Sequence, residues 1–142
     1  MPLVRSNIKT ITIQNFKFFQ QPETLELNDK HLLLYGENGS GKSSVYWSLY
    51  TLLECANKED VAEITKYFDP APAADEKLTN IFLVPGNTDW VDSEIKMVLQ
   101  DNTTFEVSFA NPNINTNTDA QAANYSSEFL NYKMLFRLHD FA

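Results

Sequence analysis

The stretch His31-Leu32-Leu33-Leu34-Tyr35-Gly36-Glu37-Asn38-Gly39-Ser40-Gly41-Lys42-Ser43-Ser44 decides the reading of this chain. It begins as a short continuous apolar run that stops at a glycine, the pattern of a strand covered on both faces. From Gly41 the period changes. Val45, Leu49, Leu52, Leu53 and Ala56 recur at helical spacing, and the helix is expected to end near Asn57-Lys58. Between strand and helix, residues 36–43 match G-x-x-x-x-G-K-[ST] at every fixed position.

Each residue type in that loop has a physical task. Glycines adopt backbone angles that a Cβ forbids, and they let the chain approach an anion closely. Successive N–H groups of Gly36, Glu37, Asn38, Gly39, Ser40 and Gly41 then line a concave nest for phosphate oxygens. The helix that follows adds unpaired N–H groups and the positive end of its dipole. Lys42 is expected to carry full charge to the β- and γ-phosphates, and Ser43 to place its hydroxyl on Mg²⁺. Ser44 is expected on the α-phosphate side. The ligand so described is a nucleoside triphosphate. No guanine-type N-K-x-D motif is present, which favours Mg-ATP.

Upstream of the loop, Ile11 and Ile13 alternate with Thr10, Thr12 and Gln14 in a strand over 8–16. Leu25 and Leu27 mark a second strand, and Asn28-Asp29 a turn. Downstream, residues 59–68 read as a short helix stopped by Asp69-Pro70, and residues 71–77 as a loop. Ile95, Met97 and Leu99, then an Asp101-Asn102 turn, then Phe105, Val107 and Phe109 predict a β-hairpin over 93–110. The asparagine-rich stretch 111–124 is expected to be a mobile polar loop, and residues 126–142 to pack.

The bulk composition narrows the function. The 142 residues suffice for one domain with a core. A net charge of −8 argues against this stretch as the principal nucleic-acid contact, which requires a basic surface. The single cysteine, Cys55, permits no internal disulfide, and no apolar run reaches the roughly 18 residues of a membrane helix. The N-terminus lacks a signal-peptide core. A cytoplasmic protein with no membrane contact is expected. His31 and His139 have no partner at metal-ligand spacing, and Cys55 reads as a small buried residue.

The sequence IKTITIQNFKFF, a return strand, and then LLLYGENGSGKSSVYWSLYTLL together resemble the opening of SMC/RecF/RecN-type ATPases, the ABC-class heads that include SbcC-like repair proteins. The family's N-F-(K/R)-x-(F/Y) motif corresponds to Asn15-Phe16-Lys17-Phe18-Phe19. The resemblance is close over roughly residues 6–56 and looser at the hairpin. It implies an α/β P-loop NTPase fold, an incomplete ABC ATPase head lobe with a mixed sheet and antiparallel β-hairpins. It also implies that Lys17 sits near the bound nucleotide, that Lys42 serves catalysis, and that the cofactors are ATP and Mg²⁺.

An ABC-type head also uses an apolar strand ending in Asp-Glu and an L-S-G-G-type signature, and neither occurs in this sequence. The glutamine that the family places after the hairpin has no counterpart near FLNYKMLFR, and Asp101 reads as a hairpin tip. Residues 1–142 are therefore expected to be the N-terminal lobe of a longer protein, inactive or weakly active alone. The partners implied are ATP, a second head in a head-to-head homodimer, and DNA through other regions. A regulatory ATP-binding domain of an OLD-type ATPase-nuclease is the alternative. A small-molecule kinase fits less well, because some 35 residues precede the loop and its only arginines are Arg5 and Arg137.

Overall fold

The computed structural model of the protein describes residues 7–71, 78–112 and 117–125. Four strands form one sheet in the order β2-β1-β3-β4: β1 (Ile8–Gln14), β2 (Glu23–Glu26), β3 (Glu94–Leu99) and β4 (Thr104–Ser108). Every pairing is antiparallel. Period-two alternation turns directly into a core. Ile13 faces Ile95, which faces Val107; Ile11 faces Met97, which faces Phe105. All six side chains are buried, and they form two continuous apolar rows across three strands. The opposite face is polar, with Thr12 and Thr24 hydroxyls 3.0 Å apart and a Lys96–Glu106 ion pair at 3.2 Å.

The apolar face is covered by α1 (Lys42–Cys55), which packs on β3, β4 and the short α3 (Thr118–Tyr125). Val45, Leu52 and Leu53 are buried as the helical spacing predicts, with Ala56 just beyond the last turn and Leu49 packed at the margin. A second short helix, α2 (Val61–Thr65), starts on the Asp60 side chain, which accepts the Ala62 N–H at 2.8 Å. Its Ile64 and the following Phe68 complete the core beside Phe16.

Two elements depart from the sequence reading. The apolar run His31–Tyr35 is not a buried strand. Among the described residues no strand pairs with it, and Leu33 and Tyr35 are 85% and 90% exposed. A parallel strand is stable only between neighbours that satisfy its backbone and cover both faces. The described sheet is accordingly antiparallel throughout and not mixed. The second departure is at 111–124, where Thr118–Tyr125 forms α3 instead of a polar loop. Asn117 caps it, its Oδ1 accepting the N–H groups of Asp119 at 3.1 Å and Ala120 at 3.0 Å. Ala120 is fully buried, and the Gln121 Nε2 donates to the Ala56 carbonyl at the end of α1 (3.1 Å). The apolar stretch expected to pack at 126–142, and His139 within it, lie outside the described residues, as do residues 72–77 of the loop expected at 71–77.

Candidate phosphate-binding site

The loop from Gly36 to Gly41 leads into the first turn of α1. Gly41 takes the N-cap position in the left-handed region (φ 87°), and no side chain caps the helix. No acidic residue occupies the first turn. The unpaired N–H groups and the positive dipole end are thus left to an external anion, as the motif requires.

Lys42 is folded over the loop. Its Nζ donates to the Gly36 carbonyl at 2.7 Å, the Glu37 carbonyl at 2.6 Å and the Ser40 hydroxyl at 3.2 Å. An ammonium has three donors, and all three are used. The two short bonds to backbone hold the charge above the concave loop. The longest, to the mobile hydroxyl of an exposed serine, is the one a phosphate oxygen most readily replaces. Gly36 has φ 153°, and a Cβ there would stand 3.0 Å from the Ser40 Oγ, so a side chain would press on the residue that shares the lysine.

Ser43 is exposed on the first turn of α1. Its hydroxyl is open to solvent, as a ligand of phosphate-bound Mg²⁺ must be. Among the described residues no group of three or more His, Cys, Asp or Glu could hold a metal ion by itself. Asn38 and Gly39 form the exposed tip of the loop. Ser44 is placed differently from its neighbour. It is buried, and its Oγ accepts the Phe18 N–H at 3.3 Å, so its side chain ties the loop to the Asn15–Phe19 segment.

That segment is a tight turn stacked on the phosphate loop. Phe16 is fully buried, and its N–H and carbonyl each bond Phe19 at 2.9 Å. Asn15 and Lys17 adopt positive φ (47° and 51°), and the Asn15 side chain donates to the Asp89 carbonyl at 2.9 Å. Asn15 and Phe16 thus shape the turn. The Phe18 ring lies against Gly41, where a Cβ would meet it at 2.9 Å. Gly41 is glycine for two reasons, its left-handed backbone and the room it leaves for this ring.

Lys17 follows from the turn. Its N–H donates to the Leu78 carbonyl (3.0 Å), while its own carbonyl accepts Ile81 N–H (2.8 Å) and Asn80 Nδ2 (3.1 Å). The side chain lines a cavity of about 490 Å³ together with residues 79–81 and 83–87. Burial lowers the proton affinity of its amine. The sequence reading missed Phe18, Asn80 and Phe82, which join this cavity to the loop. The aromatic run after Asn15 signalled Phe18, and nothing local signalled Asn80 or Phe82.

Elsewhere the residues serve structure. The Cys55 thiol is fully buried, and its pKa is pushed up to about 12 by that burial, so it is unreactive. Tyr46, Trp47 and Tyr50 form a ring cluster on α1, with Tyr46 and Tyr50 stacked at 6.4 Å. Asp101 turns the hairpin by accepting the Thr103 N–H at 2.9 Å, in agreement with its reading as a hairpin tip.

The loop, the uncapped helix and the folded lysine define a P-loop nucleotide-binding protein. The family model for the AAA ATPase domain matches residues 7–136, so the chain belongs to that family. No curated protein and no solved structure matches it. Membership implies nucleotide binding by a P-loop ATPase and the general use of ATP with Mg²⁺. Among the described residues no helix is long and apolar enough to cross a membrane.

Proposed function

We propose that this chain is the Mg-ATP-binding lobe of an SMC/RecF/RecN-like ATPase head, in which ATP binding draws two heads together and hydrolysis releases them. Such a head works in DNA repair, chromosome maintenance or phage defence in the cytoplasm. The observation that carries the reading is the stacking of the Asn15–Phe19 turn on the P-loop through Ser44 and Gly41. It makes the two sequence motifs of the resemblance parts of one site. Bound Mg-ATP would supply the charge that Lys42, the loop N–H groups and Ser43 are arranged to meet.

Two further observations support it. Among the described residues no strand pairs with His31–Tyr35, whose exposed Leu33 and Tyr35 stand directly before the loop, where strands from other residues would complete a head. The acidic net charge of −8 argues against this stretch as the DNA contact, in keeping with a head that would meet DNA through other regions. In this reading the groups that activate water come from outside the sequence described, partly from the second head. Lys42 then acts by holding the phosphates.

Analytical ultracentrifugation of the protein expressed from its complete gene, with and without Mg-ATP, tests this. A monomer that dimerises only with Mg-ATP, and fails to do so as Lys42→Ala, is the expected result. An oligomeric state indifferent to ATP would overturn the head-dimer reading. Accompanying ATP-regulated nuclease activity would establish the OLD-type ATPase-nuclease instead.

A further inference from the structure

Lys42 and Ser40 meet inside the phosphate loop in a way that the motif itself does not require. The motif fixes Gly36, Gly41, Lys42 and Ser43, and leaves position 40 open. This chain places a hydroxyl there, and the hydroxyl turns inward. A Cβ on Gly36 would stand 3.0 Å from the Ser40 Oγ and 4.0 Å from the Lys42 Nζ, so the serine side chain and the ammonium share the space over Gly36. The Ser40 N–H donates to the Glu37 carbonyl at 3.3 Å, which holds the residue in a turn on the same carbonyl that accepts Lys42.

With its three donors on Gly36, Glu37 and Ser40, Lys42 can give a bond to a phosphate oxygen only when one of these acceptors is released. The two carbonyls belong to the backbone and hold the ammonium at 2.7 and 2.6 Å. The Ser40 Oγ stands at 3.2 Å, on a side chain that leaves by rotating about χ1 alone. It is also a neutral acceptor, and among the described residues no carboxylate pairs with Lys42. An anionic oxygen holds an ammonium more strongly than a hydroxyl does, so phosphate wins this exchange, but part of its binding free energy goes into displacing the serine.

We infer that the Ser40 side chain is a latch on the phosphate loop, an internal ligand of Lys42 that competes with phosphate and lowers the affinity of the site. The backbone N–H groups of the loop favour the anion, while this one hydroxyl opposes it. Only the fraction of molecules with the latch open accepts phosphate, and the apparent affinity falls by that fraction. The inference rests on the P-loop reading and adds the residue that tunes it. Ser40 acts through Lys42 and is a positioning residue.

The test measures binding of Mg-ATP and of Mg-tripolyphosphate to the full chain by calorimetry. Ser40 is exposed, so its substitution leaves the core untouched. Ser40→Ala should bind each ligand about threefold to tenfold more tightly than wild type, the equivalent of one hydrogen bond no longer displaced. Ser40→Thr keeps the hydroxyl and should keep the wild-type affinity. Stopped-flow mixing with a fluorescent ATP analogue separates the rates. The gain in Ser40→Ala should lie in association, with dissociation unchanged, because the latch acts only before phosphate is bound. Equal or weaker binding by Ser40→Ala, or a gain confined to slower dissociation, would overturn the latch and leave the P-loop reading standing. If neither wild type nor Ser40→Ala binds Mg-ATP, both readings fall.

Discussion

Gly41→Ala should destabilise the protein more than Gly39→Ala, and the excess should vanish when Phe18 is removed. Both glycines have nearly the same left-handed backbone, φ 87° and φ 85°. Alanine in that region costs about 1–2 kcal/mol at either site. The surroundings differ. A Cβ at Gly39 meets nothing within 4 Å, whereas at Gly41 it meets Phe18 Cδ1 at 2.9 Å and Phe19 Cζ at 3.5 Å. Forcing a methyl into such a contact adds about 1–3 kcal/mol. Phe18 is 36% exposed and can partly swing away, which places the excess toward the lower end, about 1 kcal/mol. Equilibrium urea unfolding of Gly39→Ala, Gly41→Ala, Phe18→Ala and the Phe18→Ala/Gly41→Ala double variant isolates the term. The double-mutant cycle should return a coupling of about 1 kcal/mol, with the double variant less destabilised than the sum. Equal effects at Gly39 and Gly41, with additive behaviour at Phe18, would refute the packing of the Asn15–Phe19 turn on the phosphate loop.

Two further predictions concern stability. Asn117→Ala removes the cap that accepts two N–H groups of α3, and should cost about 1 kcal/mol in the same unfolding assay. Lys17→Met should stabilise the ligand-free protein at pH 7, because burial lowers the amine's proton affinity and the charged form is therefore penalised in the folded state. Below the ordinary lysine value of 10.5 and above the lowered folded one, the unfolded chain binds more protons, so wild-type stability rises with pH in that window. The gap between variant and wild type, followed by thermal melts from pH 7 to 10.5, should close toward the alkaline end. A gap independent of pH would show that Lys17 is fully solvated.

The phosphate loop was legible because its logic is local. Glycines, lysine and serine act within a few residues of each other, and the helix starts where the period changes at Gly41. The hairpin was equally plain, since Ile95, Met97, Phe105 and Val107 all face one side of the sheet and all are buried. The run His31–Tyr35 was misjudged for a specific reason. An apolar pattern states what a segment would bury, and says nothing of whether its neighbours lie in the residues at hand. The polar composition of 111–124 concealed a helix whose determinants are one capping asparagine and one buried alanine face. The cavity was invisible, because it depends on bonds such as Asn80 to Lys17 across 63 positions.

The same locality makes Lys42 the most direct point of attack on the central claim. Its ammonium is held by two loop carbonyls, not by the core, so Lys42→Ala should leave the unfolding curve within about 0.5 kcal/mol of wild type. Calorimetric titration of Mg-ATP into both proteins is therefore the decisive measurement. Saturable binding by wild type and none by Lys42→Ala is the predicted result. Equal binding by the two would contradict the assignment of residues 36–44 as the phosphate site.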